Sequence, residues 1–303
     1  MLHHKILRKD ANNSKIWVGN WIRKYEYQEQ SLIKQEGERD KKSNRLSLTV
    51  IHPNAQQPIE EKYTFDLHGN MTSMPHLREM DSDFNDQLKK VNLGDGGLVH
   101  YVYDASGQRV RKVHEHGALV DERIYLGNFE IYRKYNGNGV KLERETLHIM
   151  DDKQRIALVE TRTFDLGGNE IAPRQLIRYQ LNNHLGSTSL ELDDHAQIIS
   201  YEEYTPYGSS AYQALGPQLE TSKRYRYTGK ERDDETGLYY NGLRYYASWL
   251  GRWISCDPFG IKDSLNLYQY VHSNPVMLID PTGGEGRAYD PMSEAAVSVL
   301  RYL

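Results

Sequence analysis

The chain is short of several things that would point to a familiar chemistry. It has one cysteine, Cys256, in 303 residues. A single thiol cannot close an internal disulfide, so cysteine gives no support for an oxidising compartment. Cys256 is expected as a small buried apolar residue. No apolar run approaches the roughly 20 residues needed to span a bilayer. The start, Met1-Leu2-His3-His4-Lys5-Ile6, lacks the apolar stretch of a signal peptide. Lys and Arg number 38 against 42 Asp and Glu, a net charge of -4, so the basic excess of a nucleic-acid footprint is missing. There is no Gly-rich nucleotide loop, and no cofactor is expected. Asn183-His184-Leu185-Gly186-Ser187 lacks the setting of a nucleophile elbow. His114 and His116 fall on one face of an expected strand, and His3-His4 sit at a terminus. Both pairs read as solvated histidines, and no metal site is expected.

Phenylalanine is scarce too: 5 Phe stand against 23 Tyr. Tyrosine favours pleated, half-buried surfaces and tolerates water at its hydroxyl. That balance suits a thin sheet wetted on one or both faces. The 38% of hydrophobic residues still allow a sizeable core.

What is present is punctuation. Ile16-Trp17-Val18-Gly19-Asn20-Trp21-Ile22 and Ile124-Tyr125-Leu126-Gly127-Asn128-Phe129 both place Gly-Asn between β-branched and aromatic runs, a hairpin signal. The repeat points to serial hairpins rather than one closed sandwich. Residues 28 to 45 are charged and read as a solvated loop or short exposed helix. Leu46-Ser47-Leu48-Thr49-Val50 alternates as a strand. Asp81 to Lys90 is expected as a short helix capped by Asp81 or Ser82. Residues 211 to 223 read as a Gly/Pro/Ser-containing connection.

Three segments share an aromatic, an Asp, two residues and a Gly: Phe65-Asp66-Leu67-His68-Gly69, Tyr103-Asp104-Ala105-Ser106-Gly107 and Phe164-Asp165-Leu166-Gly167-Gly168. The Asp should receive turn N–H groups, and the Gly should supply the left-handed position before the next strand. Each hairpin is marginal alone, so neighbours must stack into a continuous sheet. Towards the C-terminus, Tyr-rich runs alternate with turns. Two Asp-Pro-x-Gly units follow, Asp257-Pro258-Phe259-Gly260 and Asp280-Pro281-Thr282-Gly283, each a tight turn with a carboxylate at its start.

This C-terminal stretch resembles the RHS-repeat-associated core domain of RHS (YD-repeat) proteins and of toxin-complex C components. The matching residues include Tyr227-Thr228-Gly229, Glu231, Gly237-Leu238-Tyr239-Tyr240, Arg244-Tyr245-Tyr246, Gly251-Arg252-Trp253, Asp257-Pro258, Asn266-Leu267-Tyr268, Asn274-Pro275 and Asp280-Pro281-Thr282-Gly283. Asn183 stands where such proteins usually carry Asp. The resemblance implies an all-β fold: serial antiparallel hairpins forming part of a hollow shell, closed by an inward-turning core domain. It divides the chain into a divergent hairpin region (1–94), a YD-repeat shell region (95–222), the core domain (223–284) and a short tail (285–303).

The implied function is a shell segment that encapsulates a C-terminal toxin or effector and releases it by self-cleavage. The alternative is a YD-repeat adhesion or carbohydrate-binding module at the cell surface. The implied partners are its own effector or a larger β-rich shell partner, with no nucleic acid and no membrane span. The implied localisation is secreted, or delivered by a secretion or toxin-complex machinery. In the family the core acts as an aspartic-type self-protease. Carried over by motif, its residues are Asp257, Asp280 and Arg244, cutting between Gly284 and Glu285. Two carboxylates brought together can divide the roles of acid and base. The family usually has Leu where this chain has Gly284, so slow cleavage is expected. Residues 293 to 303 carry apolar positions spaced for one helical face.

Overall fold

The computed structural model describes residues 2–9, 15–31, 41–52, 57–137, 139–152, 154–167, 174–216, 223–262 and 264–288, with side chains from residue 22 onward. The expected helix over 293–303, residues 32–40 of the charged block at 28–45 and the end of the third Asp-x-x-Gly unit lie outside the described residues. The fold is all-β, as the hairpin signals require. The chain divides into two units, Met1–Met80 and Asp81–Leu303.

The first unit carries a four-stranded antiparallel sheet of Leu2–Lys9, Lys15–Glu26, Leu48–His52 and Ile59–Lys62, in that order. Gly19-Asn20 is not a turn here. It lies inside the strand Lys15–Glu26, with Asn20 opposite Lys5. That strand pairs on both sides, with Leu2–Lys9 and with Leu48–His52. A turn at 19–20 would break the ladder with Leu2–Lys9, so strand pairing overrides the local signal. Arg23 ties the unit together from within, 2.6 Å from Glu61 and 3.3 Å from the Thr49 hydroxyl.

The second unit is built on a sheet of twelve strands whose spatial order is their sequence order, from Glu79–Ser82 to Ser210–Leu215. Asp81 to Lys90 is therefore not a helix but a hairpin of Glu79–Ser82 and Leu88–Asn92. Its cause is an Asp-led turn: Asp83 Oδ1 accepts the N–H groups of Asn85 and Gln87, and Asp86 takes the left-handed conformation at φ 61°. The same device recurs. Asp104 Oδ1 accepts from Ser106 and Gln108, with Gly107 at φ 82°. Asn183 Oδ1 accepts from Leu185 and Ser187, with Gly186 at φ 75°, so Asn there does the work of the usual Asp. Asp193 Oδ1 accepts from His195 and Gln197, with Ala196 at φ 59°. The Gly127-Asn128 hairpin joins Leu119–Leu126 to Phe129–Asn136 as expected. Residues 211–215, read as connection, belong to the last strand of the sheet.

The Tyr-rich stretch forms a small four-stranded sheet of Glu231–Arg232, Tyr239–Tyr240, Tyr245–Ala247 and Arg252–Trp253. Its tyrosines do not face water. Tyr227, Tyr239, Tyr246, Trp253 and Tyr270 form a buried cluster, with Tyr246 and Tyr270 stacked at 4.1 Å between ring centres. Their hydroxyls are spent on buried backbone: Tyr239 donates to Gly208 O at 3.0 Å and Tyr246 to Tyr207 O at 3.0 Å. The wetted-face expectation fails for this stretch because its rings are buried and the Tyr227, Tyr239 and Tyr246 hydroxyls find internal acceptors. Cys256 is only partly buried, and its thiol donates to the Tyr268 hydroxyl at 3.3 Å.

A buried ionic layer joins the Tyr-rich stretch to the large sheet. Arg109 lies 2.8 Å from Asp233 and 2.6 Å from Glu231. Lys112 reaches Asp233 and Glu235, each at 2.8 Å. Arg224 reaches Glu130 at 2.8 Å and Glu231 at 2.9 Å. Burial alone would raise the Glu231 carboxyl, but Arg109, with Lys112 and Arg224, outweighs it and holds Glu231 down at about 2. Paired this closely, the charges meet the condition under which ions survive out of water.

Candidate functional site

Two turns set back to back build the site. Asn241-Gly242 closes the turn before the strand Tyr245–Ala247, with Asn241 N–H donating to Arg244 O at 3.0 Å. Gly242 sits at φ 85°, and a Cβ there would come within 2.9 Å of Thr282 O in the opposite turn. Gly283 sits at φ 80°, where a Cβ would meet Arg244 N and Asn241 O, each at 2.9 Å. Neither position tolerates a side chain, so glycine sets how closely the turns approach. Asn241 Nδ2 donates to Asp280 O at 3.0 Å, and Leu243 N–H donates to Thr282 O at 2.9 Å.

This packing brings the three residues of the sequence motif together. Arg244 Nη2 lies 2.8 Å from Asp257 Oδ2 and 3.6 Å from Asp280 Oδ2. All three side chains are buried, at 2%, 7% and 2% of their exposed area, so water screens their interaction weakly. The guanidinium is locked: it lies over Trp253 at 4.3 Å, Nε donates to Gly283 O at 2.5 Å, and Nη1 donates to Leu267 O at 3.2 Å.

The two carboxylates differ in their surroundings. Asp280 Oδ1 accepts three backbone N–H groups, from Thr282 at 3.2 Å, Gly283 at 2.7 Å and Gly284 at 3.0 Å. Asp257 Oδ1 accepts one, from Phe259 at 2.8 Å. The segment up to Gly284 is thus held rigidly on Asp280, and the bond to Glu285 follows directly. Gly284 is buried and Glu285 is exposed.

Sequence reasoning missed one neighbour. Lys230 donates from Nζ to Pro281 O. Burial pulls its ammonium down to about 8, against the pull of Asp280 in the other direction. Its place in the string Tyr227-Thr228-Gly229-Lys230-Glu231 was the only signal available. Among the described residues, two groups have the composition of a metal site, His114 with His116 and Asp121, and Asp193 with Asp194 and His195. Neither touches the Arg244 site.

No family model matches the chain. It is similar to toxin subunit YenC1 of Yersinia entomophaga, 40% identical over 188 residues, which cover 60% of this chain and 19% of that protein. It is 34% identical over 102 residues to toxin protein Tse5 of Pseudomonas aeruginosa, covering 33% of this chain and 7% of that one. Among solved structures, that of TcdB2-TccC3 superposes with a TM-score of 0.71 at 30% identity, covering 90% of this chain and 14% of that one. The chain thus spans about a fifth of the YenC1 length or less of each relative. Its strand order, its Asp-led turns and these likenesses agree: over most of its length the chain is similar in fold to part of toxin-complex proteins.

Proposed function

We propose that the chain is a shell segment of a toxin assembly that encloses a C-terminal effector and frees it by cutting itself between Gly284 and Glu285. The observation that carries the reading is the buried Arg244, shared by Asp257 and Asp280, with Gly283 O held by Arg244 Nε and Gly284 N–H by Asp280 Oδ1. In this reading Asp257 and Asp280 divide the roles of base and acid. The ionised carboxylate takes a proton from water as its oxygen adds to the Gly284 carbonyl carbon. The protonated carboxyl polarises that carbonyl, and a proton reaches the Glu285 nitrogen as the C–N bond breaks. Arg244 holds the pair in place and offsets the negative charge that develops. The products are a carboxylate at 284 and an amine at 285.

The shell reading also draws support from the tyrosines. An adhesion module that captures ligand on aromatic platforms needs exposed rings. Here Tyr227, Tyr239, Tyr245, Tyr246 and Tyr270 are all buried. The large sheet ends in Ser210–Leu215, an edge strand that suits continuation into a larger β-rich partner. Delivery outside the producing cell by a toxin machinery belongs to the same proposal.

The test is intact mass over days at neutral and mildly acidic pH. The expected result is loss of residues 285–303, absent in Asp257→Asn and Asp280→Asn and faster in Gly284→Leu. Full-length wild type and Gly284→Leu at every pH would overturn the cleavage reading. Asp257 and Asp280 would then serve as turn formers alone.

A further inference from the structure

A second constellation lies on the hairpin of Arg109–His116 and Leu119–Leu126, far along the chain from the Arg244 site. His114 and His116 are two residues apart on one strand, so both side chains leave the same face. Asp121 sits directly opposite His114 in the register of the partner strand. The donor atoms of the three side chains lie within 4.8 Å of one another. His116 Nε2 is 2.9 Å from Asp121 Oδ2, and the two imidazole rings lie 4.5 Å apart between centres. The sequence reading took the histidines for a solvated pair because the third group comes from the next strand.

The surroundings of this trio are those of held ligands. His114 Nε2 lies 2.8 Å from Gly96 O. A carbonyl can only accept, so that nitrogen carries the proton and Nδ1 keeps its lone pair. Asp121 Oδ1 accepts from the Tyr132 hydroxyl at 2.8 Å, which leaves Oδ2 to the histidine side. A backbone carbonyl on the imidazole and a hydroxyl on the carboxylate are the kind of outer partners that orient metal ligands. Nearby cations are already matched. Lys112 is held by Asp233 and Glu235, and Arg123 by Glu130 at 3.0 Å. His116 and Asp121 keep 29% and 25% of their side-chain area exposed, so an ion can reach them. His114 and Asp121 also line a cavity of about 480 Å³.

We propose that His114, His116 and Asp121 bind a borderline first-row divalent cation, with Zn²⁺ as the reference ion. Two neutral imidazoles and one carboxylate suit such ions better than Ca²⁺ or Mg²⁺, which take oxygen ligands. Three protein ligands leave coordination open to water. The ion would pin the two strands of this hairpin together.

The test is calorimetric titration of Zn²⁺ into the purified full chain, alongside Co²⁺ absorption spectra of the wild type. One Zn²⁺ per chain is expected, with visible Co²⁺ bands of nitrogen coordination. His116→Ala should abolish binding, and Tyr132→Phe should weaken it about tenfold through loss of the outer partner. His195→Ala, in the other His-carboxylate group among the described residues, should leave it unchanged. The Co²⁺ spectrum needs no variant, so a misfolded mutant cannot decide the outcome alone. No heat and no Co²⁺ bands would overturn the proposal. So would binding that survives both His116→Ala and Asp121→Asn, or that His195→Ala removes. In those cases His116 and Asp121 form an ordinary ion pair.

Discussion

The Phe259 ring fills the space that a side chain at Gly284 would need; a Cβ at 284 would overlap it. Phe259 belongs to the first Asp-Pro-x-Gly turn and Gly284 follows the second, so the two turns are in contact where cleavage is proposed. Phe259 keeps 55% of its area exposed and is free to give way. Gly284→Leu should therefore cost only about 1 kcal/mol, because one movable ring relieves the overlap. Phe259→Ala should restore most of that loss. A double-mutant cycle in urea checks this, and additive effects of the two changes would disprove the contact.

Arg244 should be the least replaceable side chain of the site. Arg244→Met leaves two buried carboxylates without their cation, a change that costs about 3 to 5 kcal/mol. Arg244→Lys should recover little, since one ammonium cannot bond Gly283 O, Leu267 O and both carboxylates at once. Chemical denaturation of both variants measures the difference.

Tyrosine hydroxyls in the core are structural. Tyr239→Phe leaves Gly208 O without its donor and should cost about 1 kcal/mol or more. Tyr245→Phe should cost more, because its oxygen takes both the Tyr103 hydroxyl at 3.2 Å and Arg109 at 3.1 Å. Burial raises Tyr239 and Tyr245 above the ordinary tyrosine value of 10. A raised folded value means the unfolded chain loses its protons first as pH rises. This contribution to stability is complete below pH 10 and declines above it. Absorbance at alkaline pH should show tyrosines that ionise only on unfolding.

Acid should act through Glu231. Its folded carboxyl is held at about 2, below its unfolded value of 4.5, so the stability it adds is present above pH 4.5 and lost as pH falls towards 2. Glu130 is depressed as well: burial opposes this, and Arg224 overcomes it. Thermal midpoints measured across this window should fall steeply in the wild type and less steeply in Glu231→Gln. Equal slopes would mean that the ionic layer does not govern acid stability.

What could be read in advance followed from local chemistry. Gly127-Asn128 and the Asp104 turn were legible because Gly127 and Gly107 fill the left-handed slot. The turns at Asp83 and Asp193 were hidden because Asp86 and Ala196 fill that slot instead. Gly19-Asn20 misled because pairing along a long strand outweighs a turn dipeptide. The meeting of Arg244 with Asp257 and Asp280 was legible only through resemblance to other chains. The Arg109 layer was not legible at all: its partners lie 122 and 124 residues away, and no local pattern marks such a pair. Asp121 escaped for a related reason, since register places it opposite His114.

The strict succession of the twelve strands has a consequence for growth. Each strand bonds only to its neighbours in sequence, so the sheet can form in the order in which residues leave the ribosome, hairpin upon hairpin. Whole hairpins can be gained or deleted at Ser210–Leu215 without rethreading the rest. The Arg109 and Lys112 contacts are different, because they wait for Glu231, Asp233 and Glu235 to be made. Until then the sheet holds unmatched cations, which makes the Tyr-rich stretch the clasp that closes over this part of the sheet.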